Sequence, residues 1–230
     1  KHTTSFYARM WKMLETTGHW EGELWNKRKS GEIFAEWLSI NAVYNPDGSV
    51  HRWVAQFSDI TEKKANEQLI WEQANFDPLT ELPNRRMFYD RLGQEIKKAH
   101  RSALSMAVLF IDLDHFKEVN DTLGHEKGDQ LLVEAANRIG HCIRETDTVA
   151  RLGGDEFIII LSELEERSTI ERVLTGLLTR LSEPYPLDND VAFVSASIGV
   201  TLYPEDATNI EGLLKNADQA MYAAKKEGRN

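Results

Sequence analysis

Residues 106–111 and 157–161 are among the longest apolar runs in the chain, and each has the length of a buried strand rather than of a membrane span. Both adjoin carboxylates. The first belongs to a strand expected over 105–113, which closes in Phe110-Ile111-Asp112-Leu113-Asp114. The second follows a hairpin tip, Gly153-Gly154-Asp155-Glu156-Phe157. Acids where a core strand should be apolar are costly unless something compensates them. If the two strands are neighbours, Asp112 and Asp155 converge, and a hard divalent cation relieves their repulsion. Mg²⁺ does so while keeping phosphate and water among its ligands. The paired glycines let a phosphate approach the backbone with no Cβ in the way. Alone, this tip reads as an ordinary hairpin with solvating acids. Both segments together, in this order, point to metal-assisted phosphate chemistry.

The surrounding pattern alternates. Helices are expected over 116–123 and 128–143, strands over 148–152 and 156–161, a helix over 168–181, a strand over 191–202 and a last helix over 210–226. The order β-α-β-β-α-β describes an α+β domain, with helices expected on one face of the sheet as in nucleotide cyclases and polymerase palms. Ahead of it, strand-like runs at 21–26, 33–43 and 50–59 are separated by Lys29-Ser30-Gly31 and Asn45-Pro46-Asp47-Gly48, which predicts an antiparallel meander. Five of the six tryptophans precede residue 60, three of them within these runs, which gives the meander an aromatic face. Residues 61–75 read as a short helix with Ala65, Leu69 and Phe76 on one stripe; Asp77-Pro78 breaks it, and Asn84 can cap a helix running to about His100.

The net charge of −10 argues against a nucleic-acid backbone as partner but leaves a nucleotide open, because Mg²⁺, backbone N–H groups and a few cations hold a triphosphate within an acidic protein. The single cysteine, Cys142, excludes an internal disulfide and fits a small core residue, so a cytoplasmic setting is expected. The chain starts at Lys1 and is expected to be a piece of a longer protein; the expectation of no membrane contact covers this chain alone.

Five motifs in register make residues 75–230 resemble a GGDEF domain, the diguanylate cyclase fold. They are Asn75-Phe76-Asp77-Pro78-Leu79-Thr80 with Leu82-Pro83-Asn84-Arg85; Asp112-Leu113-Asp114-His115-Phe116-Lys117; Asn120-Asp121-Thr122-Leu123-Gly124-His125; Arg151-Leu152-Gly153-Gly154-Asp155-Glu156-Phe157; and Ser197-Ile198-Gly199-Val200 with 225–230. The resemblance implies Mg²⁺-dependent condensation of two GTP into cyclic di-GMP and two diphosphates, with Mn²⁺ as an alternative ion. It assigns metal binding to Asp112, the Leu113 carbonyl and Asp155. Glu156 is suited to help deprotonate the ribose 3′-hydroxyl, with Asp155 the alternative base, and Lys117 would stabilise phosphate charge. Asn120 and Asp129 correspond to the guanine readers, His125 and Phe116 lie in the same substrate segment, and Gly154 faces the phosphates. Lys225 and Arg229 match the holders of the outer phosphates. His115 departs from the pattern, standing where the family often has an aromatic residue. One site holds one GTP and the product is a symmetric ring, so a homodimer about a two-fold axis is expected.

Arg144 and Asp147 match the family's product-binding RxxD site in spacing and offset, which implies feedback inhibition; an exposed i,i+3 ion pair is the plain alternative. Residues 1–60 resemble the C-terminal part of a PAS/PAC sensor domain, with 61–76 a linker helix and 77–230 the GGDEF domain. The competing functional reading is a low-turnover GTP- or cyclic-di-GMP-binding regulatory module of a larger protein that also carries a phosphodiesterase domain. The intact Asp112, Lys117, Asp155 and Glu156 favour the enzyme.

Overall fold

In a computed structural model that describes residues 2–228, the chain divides into two compact units, Lys1–Glu72 and Gln73–Asn230. The first opens with a helix absent from the sequence reading, α1 (Thr4–Thr17), capped by the Thr3 hydroxyl and closed by Gly18 at φ 71°. Its buried Met10 and Leu14, with partly buried Phe6, recur at helical spacing and pack on Trp20 and Leu24. The expected meander follows as β1 (His19–Lys27), β2 (Ile33–Tyr44) and β3 (Val50–Asp59), antiparallel in that order. Trp20 lies on the α1 side, whereas Trp25 and Trp37 are on the opposite, exposed side. Helix α2 (Thr61–Asn75) buries no side chain, and Leu69 is exposed. Phe76 falls outside the helix, in a bridge to Pro83, so the expected Ala65–Leu69–Phe76 stripe does not form.

The second unit begins with α3 (Arg85–Ser102), where the Asn84 side chain accepts from the Met87 N–H as expected. Then come β4 (Ser105–Asp114), α4 (Phe116–Leu123), α5 (His125–Gly140), β5 (Thr148–Gly153), β6 (Glu156–Leu164), α6 (Ser168–Leu181), β7 (Tyr185–Leu187), β8 (Asp190–Ala192), β9 (Ser195–Tyr203) and α7 (Ile210–Glu227). Helix α5 starts earlier than predicted because Gly124, at φ 88°, serves both as the end of α4 and as the cap of α5. The strand expected over 191–202 is two strands, since β8 folds back on β7 as a small hairpin before β9 begins.

The main sheet is antiparallel in the order β5-β6-β4-β9. Its central strands bury both faces. Ala107, Leu109, Ile111 and Leu113 point to a layer built with α4, α5 and α6, while Met106, Val108 and Phe110 point to Phe88, Leu92, Leu213, Ala217 and Met221 of α3 and α7. The one-face expectation is therefore corrected: helices cover both faces. An apolar run without alternation, such as 106–111, is the signature of a strand buried on two sides. Burying each of these large side chains fully contributes about 1.5–3 kcal/mol. No described helix is long and apolar enough to cross a membrane.

Candidate active site

Two core stripes end in opposite charges at the same end of the sheet. On β4 the residues facing α7 are Met106, Val108 and Phe110, and the next position in the period-two series is Asp112. On α7 the residues facing the sheet are Leu213, Ala217 and Met221, and the next position in the period-four series is Lys225. Lys225 Nζ meets Asp112 Oδ1 at 2.7 Å. Close helix approach makes this possible. A Cβ on Gly199 of β9 would lie 2.0 Å from the Ala217 carbonyl oxygen and 2.3 Å from the Met221 nitrogen, so only glycine lets α7 sit this low on the strand.

Asp112 pairs across the sheet with Glu156, and the Leu113 N–H donates to the Asp155 carbonyl at 3.3 Å, bringing the two acidic segments side by side. Burial pushes the Asp112 carboxyl above its ordinary value, and the Asp155 and Asp114 charges add to that against Lys225. Burial likewise raises Glu156, with Asp112 and Asp155 repelling its charged form and Arg85 opposing them. Carboxyls held upward in this way take up a proton more readily than free ones do. They are also short of positive charge. A hard cation fits the donor set, which comprises two side-chain carboxylates and the Leu113 carbonyl. Among the described residues no three His, Cys, Asp or Glu side chains converge to hold an ion.

The turn between β5 and β6 is glycine for conformational reasons. Gly153 and Gly154 have φ of 138° and 56°, and a Cβ on either would meet open space. Arg151 holds this turn, donating from Nε and Nη2 to the Gly154 carbonyl at 3.0 and 2.8 Å and from Nη1 to Asp77 Oδ1 at 2.9 Å. Burial pushes the Asp77 carboxyl up, but hydrogen bonds from Thr80 and Arg151 outweigh it and hold Asp77 below its ordinary value. The only sequence sign of this role is the place of Arg151 in the signature motif, two residues before the glycines.

Asp112, Leu113, Phe116, Lys117, Asp155 and Lys225 line one open cleft of about 400 Å³. Asp114 borders it but is turned aside, accepting from the Ser195 and Ser197 hydroxyls at 2.7 and 2.9 Å. His115 takes a left-handed backbone at φ 64°, and its Nδ1 contacts Glu118 at 2.8 Å. Asn120, in the last turn of α4, lies against Gly128 in the first turn of α5, beside exposed Asp129. His125 is exposed at the start of α5 and is not among the cleft residues. Arg229 lies outside the described residues.

Arg144 and Asp147 lie at a separate cavity of about 210 Å³, together with Ser162, Thr169 and Arg172. The plain alternative of an exposed ion pair is not what forms: Asp147 accepts from the backbone N–H groups of Arg144 at 2.9 Å and Ser162 at 3.1 Å. Arg144 itself is exposed at this cavity. Arg172, on α6, adds a second cation that no local sequence pattern announced.

A family profile described as "Diguanylate cyclase, GGDEF domain" matches residues 74–230. The chain is 48% identical over 167 residues to the bifunctional diguanylate cyclase/cyclic di-GMP phosphodiesterase MucR of Pseudomonas aeruginosa, covering 73% of this chain and 24% of MucR. It is 42% identical over 178 residues to the diguanylate cyclase TpbB of the same organism, covering 77% of this chain and 40% of TpbB. The chain thus spans well under half the length of these curated relatives. Among solved structures, a GGDEF-only form of TpbB aligns with a TM-score of 0.65 at 44% identity, over 67% of this chain and 90% of that one. The coiled coil and GGDEF domain of DgcB from Caulobacter crescentus, in complex with c-di-GMP, aligns at 0.67 and 27% identity, over 74% and 90%. Sheet order, acidic cleft and glycine turn agree with what these comparisons establish: the chain belongs to the GGDEF diguanylate cyclase family.

Proposed function

We propose that this chain condenses two GTP into cyclic di-GMP, releasing two diphosphates, with each GTP held by one of two domains that face each other about a two-fold axis. The observation that carries this is the cleft in which Asp112, Asp155 and Lys225 meet beside a glycine turn, with Glu156 paired to Asp112. In each half-reaction a ribose 3′-oxygen loses its proton, bonds to the α-phosphorus of the other GTP, and displaces diphosphate. Glu156, held upward by burial, is placed to take that proton, with Asp155 the neighbouring alternative. Lys117 and Lys225 offset phosphate charge. Asp112, Asp155 and the Leu113 carbonyl would hold Mg²⁺, which when bound supplies Lewis-acid neutralisation of the triphosphate. Asn120 and Asp129 read guanine, with the carboxylate accepting from N1–H and the 2-amino group.

Product inhibition belongs to the same proposal, at the cavity where Arg144 and Arg172 provide two guanidinium groups for a cyclic dinucleotide. Residues 1–60 act as the C-terminal part of a PAS sensor, 61–76 as the linker helix and 77–230 as the cyclase, in the cytoplasm. The test is GTP turnover with Mg²⁺ across a range of protein concentration, resolving cyclic di-GMP beside an Asp155→Asn control. Product from the parent alone, rising faster than linearly with concentration, supports a cyclase that must dimerise. GTP binding without product favours the regulatory-module reading.

A further inference from the structure

Gly128 is buried within the first turn of α5 and is absent from the residues with positive φ, so its backbone does not require glycine. Glycine weakens a helix relative to alanine, and a helical glycine with ordinary dihedrals calls for another cause. The cause is steric. A Cβ at this position would lie 1.9 Å from Asn120 Oδ1, 2.9 Å from Asn120 Cγ and 3.3 Å from Phe116 Cζ. The space that alanine would fill is occupied by the Asn120 amide, delivered from α4 and seated on the α5 backbone next to Asp129. Among the described residues the Asn120 side chain has no hydrogen-bond partner, so this seat, rather than a bond, fixes where the amide points.

We infer that Gly128 is a positioning residue for base recognition: it seats the Asn120 amide beside the Asp129 carboxylate so that both acceptors meet one flat purine edge. This rests on the reading of Asn120 and Asp129 as guanine contacts. The two groups come from different helices, and α4 and α5 pack directly on each other. Their relative height is set where the helices touch, at the Asn120–Gly128 contact. An alanine there meets the far end of a half-buried side chain and not backbone, so the helices can stay in place while the amide swings away. A fold-breaking role for Gly128 would require the opposite.

The experiment measures dissociation constants of the full chain for GTP and for ITP, which lacks the 2-amino group, together with thermal midpoints. The variants are Gly128→Ala, Asn120→Ala and the double substitution. Gly128→Ala is expected to weaken GTP roughly tenfold to a hundredfold, the size of one or two lost base hydrogen bonds. ITP should weaken less, so the preference for GTP shrinks, and the thermal midpoint should stay near the parent's. In the Asn120→Ala background, Gly128→Ala should add nothing further, because the amide it displaces is already gone. Multiplying losses in the double variant, an unchanged GTP constant in Gly128→Ala, or equal weakening of GTP and ITP would each overturn the inference while leaving the cyclase reading intact. Parent-like GTP binding by Asn120→Ala would instead overturn the guanine-contact reading, and the inference with it.

Discussion

The last residues of β4 have two flanks that hold a carboxylate in different ways. Toward β6, Asp112 faces Glu156 across the sheet and receives Lys225, and burial leaves its carboxyl raised. Toward β9, Asp114 is only 3% exposed and accepts from the two serine hydroxyls of Ser195 and Ser197. Both acids point to the same face, two residues apart. Both border the open cleft, but one has its charge under-compensated and the other is knitted into the neighbouring strand. Burial of an acid therefore does not identify a working group; what surrounds it does.

The sharpest way to break that distinction is substitution. Asp112→Asn should lower GTP turnover on the order of a thousandfold, about 4 kcal/mol of transition-state stabilisation, while the thermal midpoint holds or rises because a costly buried charge has gone. A midpoint that falls with the activity would make Asp112 structural, like its neighbour. Asp114→Ala should do the reverse. It strands two serine hydroxyls and costs about 2–3 kcal/mol of stability, read by denaturant unfolding. Turnover of its folded fraction should stay far above that of Asp112→Asn.

How much of this was legible beforehand follows the same divide. Asp112 was readable because it interrupts an apolar strand at a point where periodicity demands burial, and Asp155 because it follows paired glycines at a hairpin tip that opens on a second apolar run. The serine partners of Asp114 were not, since they lie on a strand more than 80 residues away whose register no local pattern sets. The two-faced burial of β4 was in principle readable from the unbroken run over 106–111, yet the motif order suggested one covered face. Helix α1 carried its signal only in Phe6, Met10 and Leu14, spread among polar residues and exposed aromatics. The break before β9 left no trace, because Phe193 and Val194 continue the apolar pattern across it.

The β6 flank can be sharpened from α7. Gly199→Ala places a methyl against backbone atoms of Ala217 and Met221, so the helix must lift. Overpacking of this kind costs about 1–3 kcal/mol. The lift also draws Lys225 away from Asp112, and turnover should fall roughly tenfold, less than in Asp112→Asn because the carboxylates remain. A variant that loses stability but keeps full turnover would show that the 2.7 Å Lys225–Asp112 contact contributes nothing to the chemistry.

The smallest effect is one of sign, and it separates Asp112 from Asp77 on the far side of the glycine turn. Asp112 is held above the ordinary value of 3.8, so the folded chain binds its proton more tightly than the unfolded chain does. The parent then loses stability as pH rises through the window above 3.8, and Asp112→Asn, which cannot ionise, gains on the parent over that window. Asp77 is held below 3.8 by Thr80 and Arg151. Its contribution is complete above the unfolded value and is lost as pH falls through the lower folded one, so Asp77→Asn should be most deficient near neutrality and approach the parent in acid. Unfolding free energies of parent and both variants, measured without Mg²⁺ from about pH 3 to pH 7, should give difference slopes of opposite sign. Slopes of the same sign would mean that Lys225 already compensates Asp112 as fully as Arg151 and Thr80 compensate Asp77. The β6 flank would then be as closed as the β9 flank, and the case for a cation between Asp112 and Asp155 would lose its electrostatic basis.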